Sequence, residues 1–234
     1  VNASINGTAG SLTLNAVRNI TLAGGVGITL NGAGNRITLN AAGAGGQASG
    51  TTGGITLSNS NTLSTNQGNI TLNAGTLTTP GGISLNSATL NSNGGDITLS
   101  NMPSAAGGAG SASGSSQGVY LNNSTLNAGG GNILMMGEGP NSGSTPTNDF
   151  GVIFDGNNTV TTAGAGAITM IADGGTVSAS TRAGGFFNTG LANIFTVNGD
   201  IDITAIGNAS GLAGKAAFYQ IASAIGLNIY SSTG

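Results

Sequence analysis

The chain has 234 residues, 45 of them glycine, and contains neither cysteine nor histidine. Its four basic and seven acidic residues give a net charge of −3, which argues against a nucleic-acid partner because a phosphate backbone requires a basic surface. Hydrophobic residues make up 38% of the chain and recur in phase, which argues against disorder. No apolar run reaches the roughly 18 residues of a membrane-spanning helix, so we predict no such span.

A short phrase, Ile-Thr/Ser-Leu followed by Asn or Ser, recurs along the chain. Between residues 68 and 100 it begins at Ile70, Ile83 and Ile97, with shorter versions at Leu77 and Leu90. Because strand side chains alternate, Ile and Leu share one face and the hydroxyl residue occupies the other. Asn and Gly tolerate positive φ and therefore form corners between the copies. Each copy thus predicts one short strand and one corner.

The first 40 residues carry the same phrase, which begins there at Leu12, Ile20, Ile28 and Ile37. A strand this short cannot bury enough surface alone, and repetition at a fixed period indicates a solenoid. We therefore predict an all-β fold, a right-handed parallel β-helix of about 20–21 residues per three-sided coil. Ile and Leu would point inward and Thr outward. About 11 coils would then form a rod of roughly 50 Å.

Stretches of small and polar residues interrupt the phrase at 41–54, 101–118 and 137–150. We interpret them as loop insertions within the regular coils of residues 1–171, and such insertions often carry binding. Residues 172–234 predict a less regular continuation of the β-helix. Within it, the apolar spacing of residues 212–225 suits either a short helix that covers the end of the stack or an insertion before another coil.

Asn follows Leu in many copies of the phrase. Stacked side-chain amides can satisfy one another between neighbouring coils. We therefore expect an Asn ladder at a corner, formed by Asn15, Asn31, Asn40, Asn73 and Asn86.

Three apolar residues fall at positions where other copies of the phrase carry Thr or Ser. They are Tyr120, Leu134 and Ile153. One interpretation is that an insertion loop folds over them. The other is that they form an exposed patch that contacts a partner.

The Gly-Asn/Asp-Ile-Thr-Leu phrase, as in residues 68–73 and 95–100, resembles the filamentous haemagglutinin-like exoproteins of bacteria, which include two-partner-secreted adhesins. The resemblance covers about residues 10–170 and implies a secreted, rod-shaped protein of the bacterial cell surface. It also implies a role in adhesion or extracellular fibre assembly. The implied partners are a host or neighbouring cell, a glycan, or another copy of the chain. The family's N-terminal secretion domain is not recognisable, which favours an interior section or a separate protein on the same plan.

The lack of His and Cys removes the usual nucleophile–base pairs and most transition-metal ligand sets. We therefore predict no catalytic residue, no metal site and no cofactor. Asp200 and Asp202 lie two apart on a predicted strand, hence on one face and roughly 6–7 Å apart. That spacing is compatible with glycoside hydrolysis or a weak Ca²⁺ contact, but two solvated charges that keep an outer face soluble are the favoured explanation.

The leading prediction is a non-enzymatic structural or adhesive segment. A first alternative is a filament subunit that assembles head to tail, because uncapped coils expose strand edges that template further pairing. A second alternative is a polysaccharide-active enzyme that uses Asp200 and Asp202. Ice binding would require flat, regular Thr-x-Thr ranks, whereas the sequence suggests one Thr per strand on several faces.

Overall fold

The computed structural model describes residues 1–42, 53–75, 81–101, 117–139, 149–175, 183–207, 215–220 and 226–232. These residues form 22 β-strands and no α-helix, so they hold no helix that could span a membrane. The strands pair into three sheets of eight, seven and seven strands.

Sheet A consists of β1 (Ile5–Gly7), β4 (Gly27–Ala33), β7 (Thr62–Asn66), β10 (Thr89–Asn91), β13 (Thr125–Asn127), β16 (Asn158–Thr161), β19 (Ala192–Val197) and β22 (Leu227–Ser232). Sheet B consists of β2 (Leu12–Asn15), β5 (Ile37–Ala41), β8 (Ile70–Ala74), β11 (Ile97–Ser100), β14 (Ile133–Glu138), β17 (Ile168–Asp173) and β20 (Ile201–Ile206). Sheet C consists of β3 (Asn19–Thr21), β6 (Gly53–Ser58), β9 (Gly81–Asn86), β12 (Gln117–Asn122), β15 (Asp149–Asp155), β18 (Ala183–Asn188) and β21 (Lys215–Gln220).

The chain visits sheets A, B and C in turn, and each strand between the two ends of its sheet pairs in parallel with the strand one coil earlier and the strand one coil later. This confirms the predicted three-sided parallel β-helix. Residues that occupy the same position in successive coils are called a column below. Pairing within a column is in register, as at Ile37, Ile70, Ile97 and Ile133 of sheet B.

The predicted coil length is wrong. The described residues form seven complete coils and one further strand, because the sheets have seven or eight strands each. The step between paired residues is 23 residues from Ile5 to Ile28, but 36 residues from Leu90 to Leu126. Insertions lengthen most coils, so fewer coils fit in the chain, and the described stack is about 34 Å long at about 4.8 Å per coil. Leu77, one predicted strand start, lies outside the described residues.

The core is a set of apolar columns inside the stack. Members with 0% exposure include Leu63 and Leu90 of sheet A, Leu72 and Leu99 of sheet B, and Leu85 of sheet C. The hydroxyl residues between them face outward, as the alternating burial of β8 shows. This confirms the inward Ile and Leu and the outward Thr. Each fully buried Leu contributes roughly 1.5–3 kcal/mol relative to an exposed one.

Glycines stack at the corner between sheets A and B. A Cβ at Gly131 would lie 2.2 Å from the carbonyl oxygen of Gly95, so only Gly lets successive corners approach this closely. A threonine hydroxyl just before the corner stabilises the corner by a hydrogen bond. Thr65 Oγ1 donates to Gly68 O at 2.5 Å, and Thr196 Oγ1 donates to Gly199 O at 2.6 Å.

The Asn ladder exists, but it is shorter than predicted. Asn40 Nδ2 donates to Asn15 Oδ1 at 2.7 Å, and Asn73 Nδ2 donates to Asn40 Oδ1 at 2.9 Å. Asn31 lies in sheet A and Asn86 in sheet C, so neither can join a ladder on sheet B.

The three predicted insertions all connect a strand of sheet B to a strand of sheet C. Strands occupy their outer parts, since β6 begins at Gly53, β12 begins at Gln117 and β14 continues to Glu138. Their interiors lie outside the described residues. The corners on either side of sheet A are short: between residues 7 and 192 the connections into and out of this sheet have two to six residues.

Of the two alternatives for residues 212–225, the short helix is wrong for Lys215–Gln220, which form strand β21. Phe218 pairs with Phe186, so the segment continues the sheet C columns. The rest of that range lies outside the described residues. The apolar spacing does not distinguish a helix from a strand here, because Ala216, Ala217 and Phe218 are consecutive and both structures accommodate such a run.

Candidate functional site

Sheet A presents a face without charge. Its eight strands contain no Asp, Glu, Lys or Arg. Strands of the other two sheets do carry charges, at Glu138, Asp173 and Asp202 in sheet B and at Asp149, Asp155 and Lys215 in sheet C. The sheet A face therefore differs chemically from both of its neighbours.

Two outward columns run along sheet A on either side of the inward Leu, Val and Ile column. The first column is Thr62, Thr89, Thr125, Thr159, Asn193 and Asn228. The second column is Thr29, Ser64, Asn91, Asn127, Thr161, Phe195 and Tyr230. Members of one column are about 4.8 Å apart, and the two columns are about 6.6 Å apart along each strand.

The four threonines of the first column have free hydroxyl groups: none makes a side-chain hydrogen bond to the rest of the protein where the structure describes it. The contrast is with Thr65 and Thr196, whose buried hydroxyls bond to corner carbonyls. In the second column, Asn127 Oδ1 accepts the Gly129 N–H at 3.0 Å and so supports the corner. The first column therefore offers four free hydroxyls in successive coils.

At one end of the face, aromatic rings replace the polar residues of the second column. The ring centroids of Phe195 and Tyr230 are 4.8 Å apart with their planes tilted by 43°. Tyr230 is 51% exposed. Beside them, Asn228 Nδ2 donates to Asn193 Oδ1 at 2.9 Å. An aromatic pair and an amide pair thus continue the two hydroxyl-rich columns.

The sequence carries a signal for this arrangement. The segments Asn193-Ile-Phe195 and Asn228-Ile-Tyr230 repeat the phrase with an aromatic residue in one outward position. The Thr between Ile and Leu is an outward position in all three sheets, as at Thr29 in sheet A, Thr71 in sheet B and Thr56 in sheet C. Which phrase belongs to which sheet becomes evident only from the pairing.

The predicted patch of Tyr120, Leu134 and Ile153 is not a single patch. Tyr120 and Ile153 are paired residues of sheet C. Leu134 lies in sheet B, between Thr98 and Thr169 of its column. Successive phrases alternate between sheets, so residues that look equivalent in sequence fall on different sides of the rod.

On sheet C, these apolar residues are mostly covered. Ile153 is 3% exposed and Phe187, its partner one coil later, is 4% exposed. Phe150 is fully buried and stacks on Phe187, with ring centroids 4.5 Å apart and planes within 8° of parallel. The cluster is therefore a second small core on the outside of sheet C and not an exposed contact surface.

Tyr120 forms the polar edge of that cluster through Asp155. Tyr120 Oη donates to Asp155 Oδ2 at 3.0 Å, Thr189 Oγ1 donates to Oδ1 at 2.6 Å, and the Gly156 N–H donates to Oδ1 at 2.9 Å. Burial, together with the hydrogen bond to the Asp155 carboxylate, raises the pKa of Tyr120 to about 12. The Tyr120 phenol therefore stays protonated, and its hydrogen bond to Asp155 has a structural role.

Asp200 and Asp202 are both exposed to solvent. Asp202 is the outward partner of Thr169 on the last strand of sheet B, and Asp200 precedes that strand at the corner. Within the part of the chain that the structure describes, no three His, Cys, Asp or Glu residues come together as a metal site. The arrangement is that of two solvated carboxylates.

The residues that the structure brings together are thus those of sheet A, whereas the predicted patch is divided between two sheets. Comparison with protein-family models, with curated proteins and with solved structures finds no match to this chain.

Proposed function

We propose that this chain is a non-enzymatic structural and adhesive section of a secreted bacterial surface protein. The observation that supports this best is sheet A, whose strands carry no charge and present an outward polar side chain in the first column in six successive coils. The extracellular setting is supported by the resemblance of the repeated phrase to filamentous haemagglutinin-like exoproteins.

Stacked coils form a rod, and a rod can hold a contact surface at a fixed distance from the cell that carries it. Each coil is held by its neighbours through in-register pairing in three sheets, so the outward columns keep a constant spacing. Repetition favours adhesion, because many weak contacts made at once give a strong attachment.

The test is attachment of beads coated with the chain to bacterial and animal cells. We expect the coated beads to be retained on at least one surface, and retention to fall when soluble chain is added as competitor. Beads coated with the heat-unfolded chain are the control for nonspecific sticking. Retention no greater than that of the control on every surface would contradict the adhesive function.

Self-assembly is a second candidate, supported by the last described coil. Two residues of its inward columns are strongly exposed, Phe218 at 43% and Ile229 at 46%. A further coil would cover them, whether it came from the same chain or from the first coil of another copy. That first coil offers partly buried apolar residues of its own inward columns, Ile5 in sheet A and Leu12 and Leu14 in sheet B.

Sedimentation of the chain over a range of concentrations tests this candidate. Head-to-tail stacking predicts particles that lengthen with concentration, and a charged residue in the Ile229→Asp variant should prevent the lengthening. Monomers at all concentrations would contradict it.

A further inference from the structure

We propose that the outer face of sheet A binds a neutral glycan chain that lies along the rod axis. This inference rests on the proposed adhesive function and gives that function a chemical class of partner. It assigns the contact to the first and second columns defined above.

The charge of the face limits what can bind there. A polyanion such as nucleic acid or a sulfated or uronic-acid glycan is held by Lys and Arg, and the sheet A strands contain neither. A cationic partner would find no carboxylate on these strands. A polymer without charge loses no ion hydration on this face and is not repelled by it.

The free hydroxyls of Thr62, Thr89, Thr125 and Thr159 supply the polar contacts. Each hydroxyl both donates and accepts, which is also what every sugar hydroxyl does. Because the row repeats once per coil, it meets a repeating polymer with the same group at each step. Thr is stiff at χ1, so little side-chain entropy is lost when the polymer binds.

The aromatic end supplies the apolar contacts. Sugar rings present C–H groups on their faces, and Tyr and Phe rings offer flat apolar surfaces beside polar groups. Tyr230 is the more exposed of the two tilted rings, and the amide of Asn228 lies next to it. This combination favours a glycan over ice, because an ordered water layer requires the regular hydroxyl ranks to continue where Phe195 and Tyr230 interrupt them.

The face is also accessible. Along described residues, the corners on both sides of sheet A are short, whereas the long connections join sheet B to sheet C. Strand alternation sets the outward direction of the two columns. Residues that follow Ser232, at the end of β22, therefore do not change that direction. A chain several sugars long can therefore lie along the columns.

The experiment measures retention of the full chain by affinity electrophoresis and pull-down on neutral polymers: cellulose, chitin, xylan, mannan and starch. Polygalacturonate and heparin serve as charged comparisons. The test variants are Tyr230→Ala and the double variant Thr89→Val/Thr125→Val, which removes hydroxyls but keeps the β-branched shape. The matched control is Thr71→Val/Thr98→Val, which makes the same change in two adjacent outward positions of sheet B.

We expect retention on at least one neutral polymer, unchanged between low and high salt. Each lost hydroxyl should weaken binding by about threefold to tenfold, and the sheet B control should bind as the unchanged chain does. Urea unfolding confirms that each variant folds. Tyr230→Phe, which keeps the ring, should retain most of the affinity, and it replaces Tyr230→Ala in the comparison if that variant proves unstable.

Retention on no neutral polymer, salt-sensitive retention on the charged polymers alone, or equal weakening by the sheet A and sheet B variants would each overturn this proposal. Shaping of ice crystals by the chain without glycan retention would also overturn it and would assign the hydroxyl row to ordered water. If beads still attach to cells when no glycan is retained, the adhesive function stands and its partner is not a neutral glycan. Failure of both tests removes the adhesive function as well.

Discussion

At the scale of single residues, the side of the strand decides the role of a side chain. Leu99 is fully buried and lies between Leu72 and Met135 in its column, whereas Thr98 beside it faces outward. The two residues are neighbours in sequence and in the same strand. Leu99 is therefore expected to contribute more than Thr98 to the free energy of unfolding, because only Leu99 is fully buried.

We predict that Leu99→Ala lowers the free energy of unfolding by about 2–5 kcal/mol, because it leaves a cavity between two filled coils. The matched variant Thr98→Ala, which removes an outward side chain, should cost less than about 1 kcal/mol. Urea titration followed by circular dichroism measures both. Similar losses for the two variants would mean that the inward and outward assignments are wrong.

The phenol of Tyr120 gives a prediction about pH. Burial first, and then the hydrogen bond to Asp155, raise the pKa of Tyr120 to about 12, against about 10 in an unfolded chain. Between these values the folded state binds more protons than the unfolded state. The stabilisation is therefore complete below about pH 10 and is lost as the pH rises toward about 12.

Spectroscopic titration of phenolate formation should show one tyrosine that ionises about two pH units later than an unfolded one. The Asp155→Asn variant, which removes the carboxylate, should lower the pKa of Tyr120. Tyr120→Phe should flatten the decline of stability over that pH range. An unchanged late titration in Tyr120→Phe would assign the high pKa to another tyrosine.

At the scale of elements, the joints between sheets depend on particular polar residues. Asn101 follows β11 and is 0% exposed. Its Nδ2 donates to Gly81 O at 3.1 Å and to Glu138 O at 2.9 Å, and its Oδ1 accepts the Glu138 N–H at 2.8 Å. One side chain thus satisfies backbone groups at the start of β9 and the end of β14.

We predict that Asn101→Ala destabilises the protein by about 2–4 kcal/mol, because three buried backbone groups lose their partner at once. Amide exchange at Glu138 should accelerate before exchange in the middle of β14. Asn127→Ala, which removes one hydrogen bond at a solvent-facing corner, should cost less than about 1 kcal/mol. Equal effects of the two variants would show that the Asn101 contacts do not hold the joint.

The strands and their inward faces could be predicted from the sequence, since Ile-x-Leu copies at Ile37, Ile70 and Ile97 carry both alternation and corners. The assignment of each copy to a sheet could not, because insertions of unequal length lie between sheets B and C. Tyr120 and Leu134 therefore occupy equivalent places in the repeated phrase although they belong to different sheets. The sequence does not distinguish Asn101 from the surface asparagines, and its burial becomes evident only from the pairing of the strands.

At the scale of the whole molecule, a solenoid has no single centre, and each coil is stabilised by the coils on either side of it. The apolar columns run from Ile5 in the first coil to Ile229 in the last strand, while the outer faces differ from one another. The rod thereby separates stability, which lies inside, from recognition, which we place on sheet A. All of this depends on coils that stack in parallel and in register.

Distances between spin labels along the second column of sheet A test that stacking most directly. The chain has no cysteine, so Thr29→Cys can be combined with Asn91→Cys, Asn127→Cys or Thr161→Cys to give three uniquely labelled pairs. These residues lie two, three and four coils from Thr29, so dipolar EPR should give distances that increase in equal steps of about 4.8 Å. Distances that do not increase along the series, or that increase in unequal steps, would contradict a parallel, in-register stack.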